Sequence, residues 1–474
     1  MCSIIGVVGE NVKSDIINML HTLKHRGPDG CGVYSRGKIY LNNDILDCED
    51  SSFIIAHNLL SIVGCDELQP FMSENLVLVS NAEIYNYKEL ISKYDFDLSS
   101  NSDCEVILKL IEHNYHDNLK EAILKSIDLL DGDYAFCVSD GKDYVVVRDN
   151  VGVKPLYYGS NCDKFAFASE QKALQKIGIN DIYNLNPRFM IYNGDVIQIR
   201  DCYKRCDFYN DYDVAKEKLK NAIVRSVRKR VQDLDEVALL FSGGVDSTLI
   251  ALILKKLGIK TTLYSVGVET SQDLKYAKKI AHDIDIPLTI QIINQEIIEK
   301  SFYPTVNTIE DTNLMKIGVG MTIKLTSHLA HMDNHKVILS GQGADELFAG
   351  YNRYKKKYTN HDLLNEELTH DLNNIYDVNL ERDDKATMSN SVELRVPFLD
   401  KDVIDVASHM PIDYLLDSCD DKIRKHILRD VAYELGLSKE AAYRPKKAAQ
   451  YGTGIDKIIK KKIIKKQQYN KILQ

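Results

Sequence analysis

The chain has 474 residues, 44% of them hydrophobic and 27% charged, with a formal net charge of -9. That length exceeds one ordinary domain, the composition is globular rather than disordered, and the acidic balance argues against a general affinity for nucleic acid or anionic membrane. No run approaches the roughly 20 apolar residues of a membrane span, and the first residues lack the basic and apolar stretches of a secretory signal, so a cytoplasmic location is expected.

Position 2 is a cysteine. Once the initiator Met is removed, the thiol of Cys2 stands beside a free α-amine whose pKa near 8 suits a general base at neutral pH. One residue then supplies both nucleophile and base, although a second-position cysteine alone is usually incidental. Up to about residue 199 the pattern predicts short strands over 3–8, 52–55, 76–79, 134–138, 144–147 and 165–168, separated by Gly, Asn and Asp turns. Helices are predicted over 14–23 and 103–112. Strands burying layers against helices indicate an α+β sandwich. Nine of the ten cysteines fall at or before Cys206, and Cys202 with Cys206 lacks the second ligand pair of a zinc site. They read as reduced, mostly buried thiols.

Residues 201–212 are polar and aromatic without periodicity and are read as a linker between domains at 2–200 and 213–474. Beyond them strands at 237–241, 261–266, 288–292 and 337–340 alternate with helices that include 213–229, 247–257 and 272–281. That order implies a doubly wound parallel sheet with ligands at the carboxyl ends of its strands. Directly after the first of these strands stands Ser242-Gly243-Gly244-Val245-Asp246-Ser247. The glycines let backbone N–H groups approach phosphate oxygens, the hydroxyls add donors, and the helix N-terminus adds a favourable dipole. Asp246 suits a carboxylate holding Mg²⁺ against a polyphosphate. No Lys follows the glycines, so this is not a Walker A loop. A second loop, Gly341-Gln342-Gly343-Ala344-Asp345-Glu346, follows the strand at 337–340 and offers Asp345 as a second Mg²⁺ ligand. The basic residues 457–471 read as a solvated or frayed helix.

The hexapeptide at 242–247 resembles the pyrophosphate loop of the ATP-pyrophosphatase superfamily, whose members cleave ATP to AMP and pyrophosphate. Arg26-Gly27-Pro28-Asp29-Gly30, Asn81-Ala82-Glu83-Ile84-Tyr85-Asn86, Asp103-Cys104-Glu105 and the run from Arg148 to Tyr157 resemble, with Cys2, the class II glutamine amidotransferase domain. The pairing of the two resembles the glutamine-hydrolysing asparagine synthetases. Glu393-Leu394-Arg395-Val396-Pro397-Phe398-Leu399-Asp400 and Lys425-His426-Ile427-Leu428-Arg429 extend that resemblance across nearly the whole chain.

The resemblance implies an N-terminal nucleophile sandwich followed by a doubly wound ATP-pyrophosphatase domain. In the first, Cys2 would attack the glutamine amide, Asn81 and the N–H of Ala82 would hold the oxyanion, and Leu59, Leu60, Ser61, Ile62, Glu83 and Asp103 would complete the glutamine site. In the second, Leu240, Ser242, Gly243, Gly244, Asp246, Ser247, Val266, Ser340 and Gly341 would bind ATP, with Mg²⁺ on Asp246 and Asp345. Lys446 would stabilise the activated intermediate, and position 342 would take part in catalysis. A homodimer is compatible with the resemblance.

The chain departs from the family pattern at four places. Leu59 replaces the Arg of His-x-Arg-Leu-Ser-Ile that pairs with the glutamine α-carboxylate, a loss of about 1.5–3 kcal/mol. Ala82 replaces a Gly, at a cost of roughly 1–2 kcal/mol if the position needs φ > 0. Gln342 replaces a Glu and cannot accept a proton. The aspartate-binding Thr-Thr-x-Arg of bacterial relatives has no clear counterpart in residues 310–317, where Lys316 is either a carboxylate partner or a surface residue. The expected reaction is asparagine synthesis from aspartate, glutamine or ammonia, and ATP. Amidation of another carboxylate, and nucleotide or glutamine binding without catalysis, are the alternatives.

Overall fold

The computed structural model describes residues 2–62, 67–445 and 453–460. Lys446 and the basic residues 461–474 lie outside these. Among the described residues no helix is long and apolar enough to cross a membrane. The chain forms two units. One takes the first 202 residues together with Tyr376–Ser391, and the other takes Tyr203–Ile375 and the chain from Val392 onward. The sequence reading anticipated no such return of residues 376–391 to the first unit.

The first unit holds two antiparallel sheets. One contains β1 (Ser3–Gly9), β2 (Gly30–Ser35), β3 (Lys38–Leu41) and β4 (Phe53–Leu59), and the other β5 (Phe71–Met72), β6 (Val77–Ile84), β7 (Gly132–Ser139) and β8 (Tyr144–Arg148). Further along, β9 (Tyr157–Ser160), β10 (Lys164–Ala168) and β11 (Ile182–Asn184) join the first sheet, and β12 (Phe189–Tyr192) and β13 (Asp195–Gln198) join the second. The orders are β11-β9-β10-β1-β4-β2-β3 and β13-β12-β8-β7-β6-β5.

Alternation along each strand dictates the layering. On β1, Ile4 and Val8 pack with Val79, Cys137 and Val146 of the facing sheet. Ile5 and Val7 turn the other way, toward Ile16, Met19 and Leu20 of the helix Lys13–Thr22. On the far side, Val106, Ile107, Leu110 and Ile111 of the helix Glu105–Asn114 cover the second sheet with Leu119, Ala122 and Ile123 of the helix Leu119–Ile127. The result is helix, sheet, sheet, helix, the four-layer form of the expected sandwich.

The second unit carries five parallel strands: β14 (Glu236–Leu240), β15 (Lys260–Gly267), β16 (Leu288–Ile292), β17 (Val337–Leu339) and β18 (Glu393–Arg395). Their order is β16-β15-β14-β17-β18. The chain winds outward from β14 in one direction and then restarts at β17 in the other. That reversal opens a crevice between β14 and β17 at their carboxyl ends, where doubly wound sheets bind ligands. The helix Val245–Lys256, which follows β14, is buried from Val245 to Leu254 except at Asp246, as its nearly unbroken apolar sequence requires. β18 was not among the predicted strands, since three residues carry no readable alternation.

Gly6 faces the inter-sheet space and is covered by the ring of its cross-strand partner Phe167. A Cβ there would fall 2.2 Å from Phe167 Cε1 and Cζ. Gly6→Ala is therefore expected to destabilise this unit by about 1–3 kcal/mol, read as an earlier denaturant midpoint. An unchanged midpoint would show that the ring moves aside at no cost.

Candidate functional site

Cys2 precedes β1, and three backbone or side-chain groups hold it. Its nitrogen donates to Asn81 Oδ1 at 3.0 Å, its thiol faces the Leu60 carbonyl at 3.9 Å, and its own carbonyl accepts from Arg26 Nε at 3.2 Å. Asn81 sits on β6 opposite Ala135 of β7. With Oδ1 committed to Cys2, the Nδ2 group of Asn81 is buried without a hydrogen-bond partner. A buried orphan donor beside a thiol is what a developing oxyanion would satisfy. His57, on β4 across from Ile4, is fully buried, and desolvation drives its pKa down to about 3. That is too weak a base to serve the thiol.

Beside Cys2 lies a cleft of about 370 Å³, counted together with space open to solvent. Leu59, Leu60, Ile62, Ala82, Glu83 and Asp103 line it with Cys2, so most of the predicted donor-site residues converge. Ser61 instead turns its amide to Asp29 Oδ2 at 2.9 Å, and Asn81 acts from behind Cys2. Asp103 Oδ2 accepts from the Ile84 amide at 2.6 Å, which fixes the carboxylate at the cleft wall. Glu67, Gln69, Ser102 and Cys104 also line the cleft and were not anticipated. Gln69 earns its place by bonding both the amide and the carbonyl of Ser80, a long-range role without a sequence signal. The Cys104 thiol is raised well above its ordinary pKa by burial and by Asp103, so it is no competing nucleophile.

Two departures from the family pattern look different in three dimensions. Ala82 is extended within β6, paired across from Tyr134. The position does not need φ > 0, and the expected strain is absent. At Leu59 an apolar side chain lines the cleft where the family pattern has an Arg. Among the described residues the lining includes three carboxylates, Glu67, Glu83 and Asp103, and no Lys, Arg or His.

In the second unit Leu240 ends β14, and the loop Ser242-Gly243-Gly244 leads into the helix Val245–Lys256. Gly243 has φ +69, and a Cβ there would press on the Ala277 backbone at 3.0 Å. Ser242 Oγ accepts from the Gly244 amide at 3.3 Å and lies 3.5 Å from Ser247 Oγ. No side chain caps the helix at Gly244, so its first N–H groups are available to an anion. Val266 lies near the end of neighbouring β15. After β17, Ser340 and Gly341 bring the second loop against the first: a Cβ on Gly341 would fall 2.9 Å from Asp246 Cβ. Gln342 donates its amide to Ser340 Oγ at 3.3 Å. Lys316 lies 2.9 Å from Asp311 on the same segment.

Both predicted metal ligands meet at one side chain. Lys425 Nζ lies 2.8 Å from both oxygens of Asp246 and 2.6 Å from Asp345 Oδ1, with no exposure to solvent. Arg424 and Lys425 are both left-handed, at φ 59 and 58. Arg429 stabilises that bend by donating to the carbonyls of Arg424, Ile423 and Ala442 at 2.5–2.7 Å. Glu346 is buried, accepts from the Tyr351 hydroxyl at 2.6 Å, and is pushed up to about 7 by burial and by Asp345. The two aspartates converge within reach of a single cation, as a hydrated Mg²⁺ on a polyphosphate requires. Among the described residues no third metal-binding side chain joins them, which leaves the remaining positions to phosphate and water. The residues fit the ion.

Comparison with known proteins gives a consistent result. Residues 1–186 match the glutamine amidotransferase domain family, and residues 218–366 and 356–466 match the asparagine synthase family. The chain is 39% identical to a putative glutamine-hydrolysing asparagine synthetase of Methanocaldococcus jannaschii, over 99% of this chain and 97% of that protein. It is 31% identical to asparagine synthetase B of Escherichia coli, over 96% of this chain and 83% of that protein.

Gly350 is the floor of the Lys425 cluster: a Cβ there would fall 1.8 Å from Asp345 Oδ1 and 2.2 Å from Lys425 Cε. Gly350→Ala must displace the pair, and is expected to weaken Mg·ATP binding in calorimetric titration by about tenfold or more, equivalent to roughly 1.4 kcal/mol. Unchanged affinity would remove the cluster from the nucleotide site.

Proposed function

The chain belongs to the glutamine-hydrolysing asparagine synthetase family, and we propose that it forms asparagine from aspartate, cleaving ATP to AMP and pyrophosphate and drawing nitrogen from glutamine. The convergence of Asp246 and Asp345 on Lys425, at the reversal point of a parallel sheet, carries the ATP-dependent half of this reading.

In the donor cleft, Cys2 with Met1 removed would attack the glutamine amide, its α-amine taking the thiol proton. The Asn81 Nδ2 group would bind the oxyanion, and Asp103 with Glu83 would hold the α-ammonium. Collapse of the tetrahedral intermediate would expel ammonia, which takes back the proton held by the α-amine, and water would then hydrolyse the thioester, releasing glutamate and the free Cys2 thiol. In the second unit the loop amides and the helix N-terminus at Val245 would take phosphate oxygens, and Leu240, Val266, Ser340 and Gly341 would line the rest of the nucleotide. Asp246 and Asp345 would hold Mg²⁺, which when bound supplies positive charge to a polyphosphate. Lys425, already placed between those carboxylates, would supply a further positive charge to the same phosphates. The activated aspartyl carboxylate would receive ammonia. Gln342 can orient groups by hydrogen bonding and takes no proton, and Lys446 is proposed to stabilise the charge on the activated carboxylate. A cytoplasmic setting is part of the same proposal. A homodimer completes the proposal.

Two measurements test the donor half. Cys2→Ala should abolish glutamine-driven pyrophosphate release and leave the ammonia-driven rate within about twofold, since uncoupled sites act independently. Loss of both rates would contradict the two-site scheme. Leu59→Arg should raise kcat/KM for glutamine by about 10- to 100-fold, the worth of a charge-assisted pair, without changing the ammonia reaction. No gain would mean that the α-carboxylate is bound elsewhere.

A further inference from the structure

Residues 376–391 interrupt the second unit's sequence and pack within the first. The helix Glu381–Met388 forms half of this excursion, and every residue in it is buried, including Glu381, Arg382, Asp383, Asp384 and Lys385. So dense a set of buried charges needs partners. Asp384 finds its partner in Arg26, with Nη1 at 2.6 Å from Oδ2 and Nη2 at 3.2 Å from Oδ1. Just past the helix, the Ser391 hydroxyl donates to the carbonyl of His25 at 2.7 Å. The excursion thus grips two consecutive residues of the first unit, one by its side chain and one by its backbone.

Arg26 is fully buried and shared between two carboxylates. Besides Asp384 it donates to Glu170 Oε1 at 2.8 Å, and Glu170 is also approached by His25 Nε2 at 3.1 Å and Lys172 Nζ at 2.7 Å. The remaining contact matters most: Arg26 Nε holds the carbonyl of Cys2 at 3.2 Å. That carbonyl fixes the peptide plane between Cys2 and Ser3, and the plane sets where the Cα of Cys2 directs its nitrogen and its thiol. With the Asp384 charge removed, the balance of the guanidinium shifts toward Glu170, away from the point at which Nε reaches Cys2.

We propose that Asp384 is a positioning residue for the Cys2 nucleophile, acting through Arg26, and that Ser391 supports it through His25. A segment borrowed from the synthetase half of the sequence thereby sets the geometry of amide hydrolysis. The proposal rests on the reading of Cys2 as the glutamine-attacking residue.

The test is steady-state glutamine hydrolysis by the full chain, set against ammonia-driven pyrophosphate release, in wild type, Asp384→Asn, Asp384→Glu and Ser391→Ala. Misplacing a nucleophile by about 1 Å can cost on the order of a hundredfold, so Asp384→Asn should lower kcat for hydrolysis at least about tenfold. Its KM for glutamine should stay within about twofold, because the cleft walls are untouched. Asp384→Glu should recover part of the loss, and Ser391→Ala, lacking one neutral hydrogen bond, should lower kcat by about two- to fivefold. The ammonia-driven rate reports the integrity of the same preparations. Unchanged kcat in Asp384→Asn would overturn the proposal, as would equal loss of both rates. If Asp384→Asn fails to fold, an unchanged kcat in Ser391→Ala overturns it. A wild type active with ammonia and silent with glutamine would overturn the donor reading, and this proposal with it.

Discussion

A lysine ammonium with no solvent contact, held between two aspartates at 2.8 and 2.6 Å, is the constraint around which the second unit is arranged. Burying a charge costs several kcal/mol unless it is paired well, and here the pairing is achieved from three directions. Asp246 arrives at the start of the helix after β14, Asp345 after β17, and Lys425 from a left-handed bend before the helix His426–Glu434. Bringing the three together requires that β14 and β17 be neighbours, that Gly341 lack a side chain where it meets Asp246, and that Gly350 lack one beneath Asp345. The sheet order and the glycine positions follow from one electrostatic requirement.

The first unit solves a different problem with similar means. Three apolar cores between its four layers hold this unit together, yet Cys2, the proposed nucleophile, stands before the first residue of β1, where the ladder does not hold it. Polar groups do so instead. Asn81 reaches Cys2 from the facing sheet, and Arg26 reaches it from the loop before β2. Because Arg26 is buried, it brings two carboxylates with it, and one of these comes from the returning helix Glu381–Met388. Catalytic placement therefore draws on residues far apart in sequence.

Much of this was legible in the sequence, for reasons that can be named. Each phosphate-loop glycine follows a run of apolar β-formers, so strand, turn and helix could be placed from local signals alone. Asp246 and Asp345 drew attention because a carboxylate after such a loop suits a metal ion, and the fold brings both to Lys425. Lys425 was visible as part of a motif, but its burial between the aspartates depends on three elements meeting. The two- and three-residue strands β5, β11 and β18 carry too little alternation to be recognised, whereas the equally short β17 is marked by the glycine loop that follows it. Glu67 and Gln69 reach the cleft through a loop whose path is set by hydrogen bonds to Ser80. The return of residues 376–391 was illegible because charged residues in a helix ordinarily face water, and these do not. At Ala82 the sequence left the backbone conformation open, because whether the position needs a left-handed backbone is decided by β6 and not by its neighbours in sequence.

The central claim is that one chain takes nitrogen from a glutamine amide and places it on an aspartyl carboxylate activated by ATP. The most direct measurement supplies glutamine labelled with ¹⁵N in its amide, with aspartate and Mg·ATP, and follows label and nucleotide together by mass spectrometry and NMR. The account predicts ¹⁵N in the side-chain amide of asparagine, with AMP and pyrophosphate formed in equal amounts. Label that appears only as free ammonia, or ATP cleaved to ADP and phosphate, would contradict it.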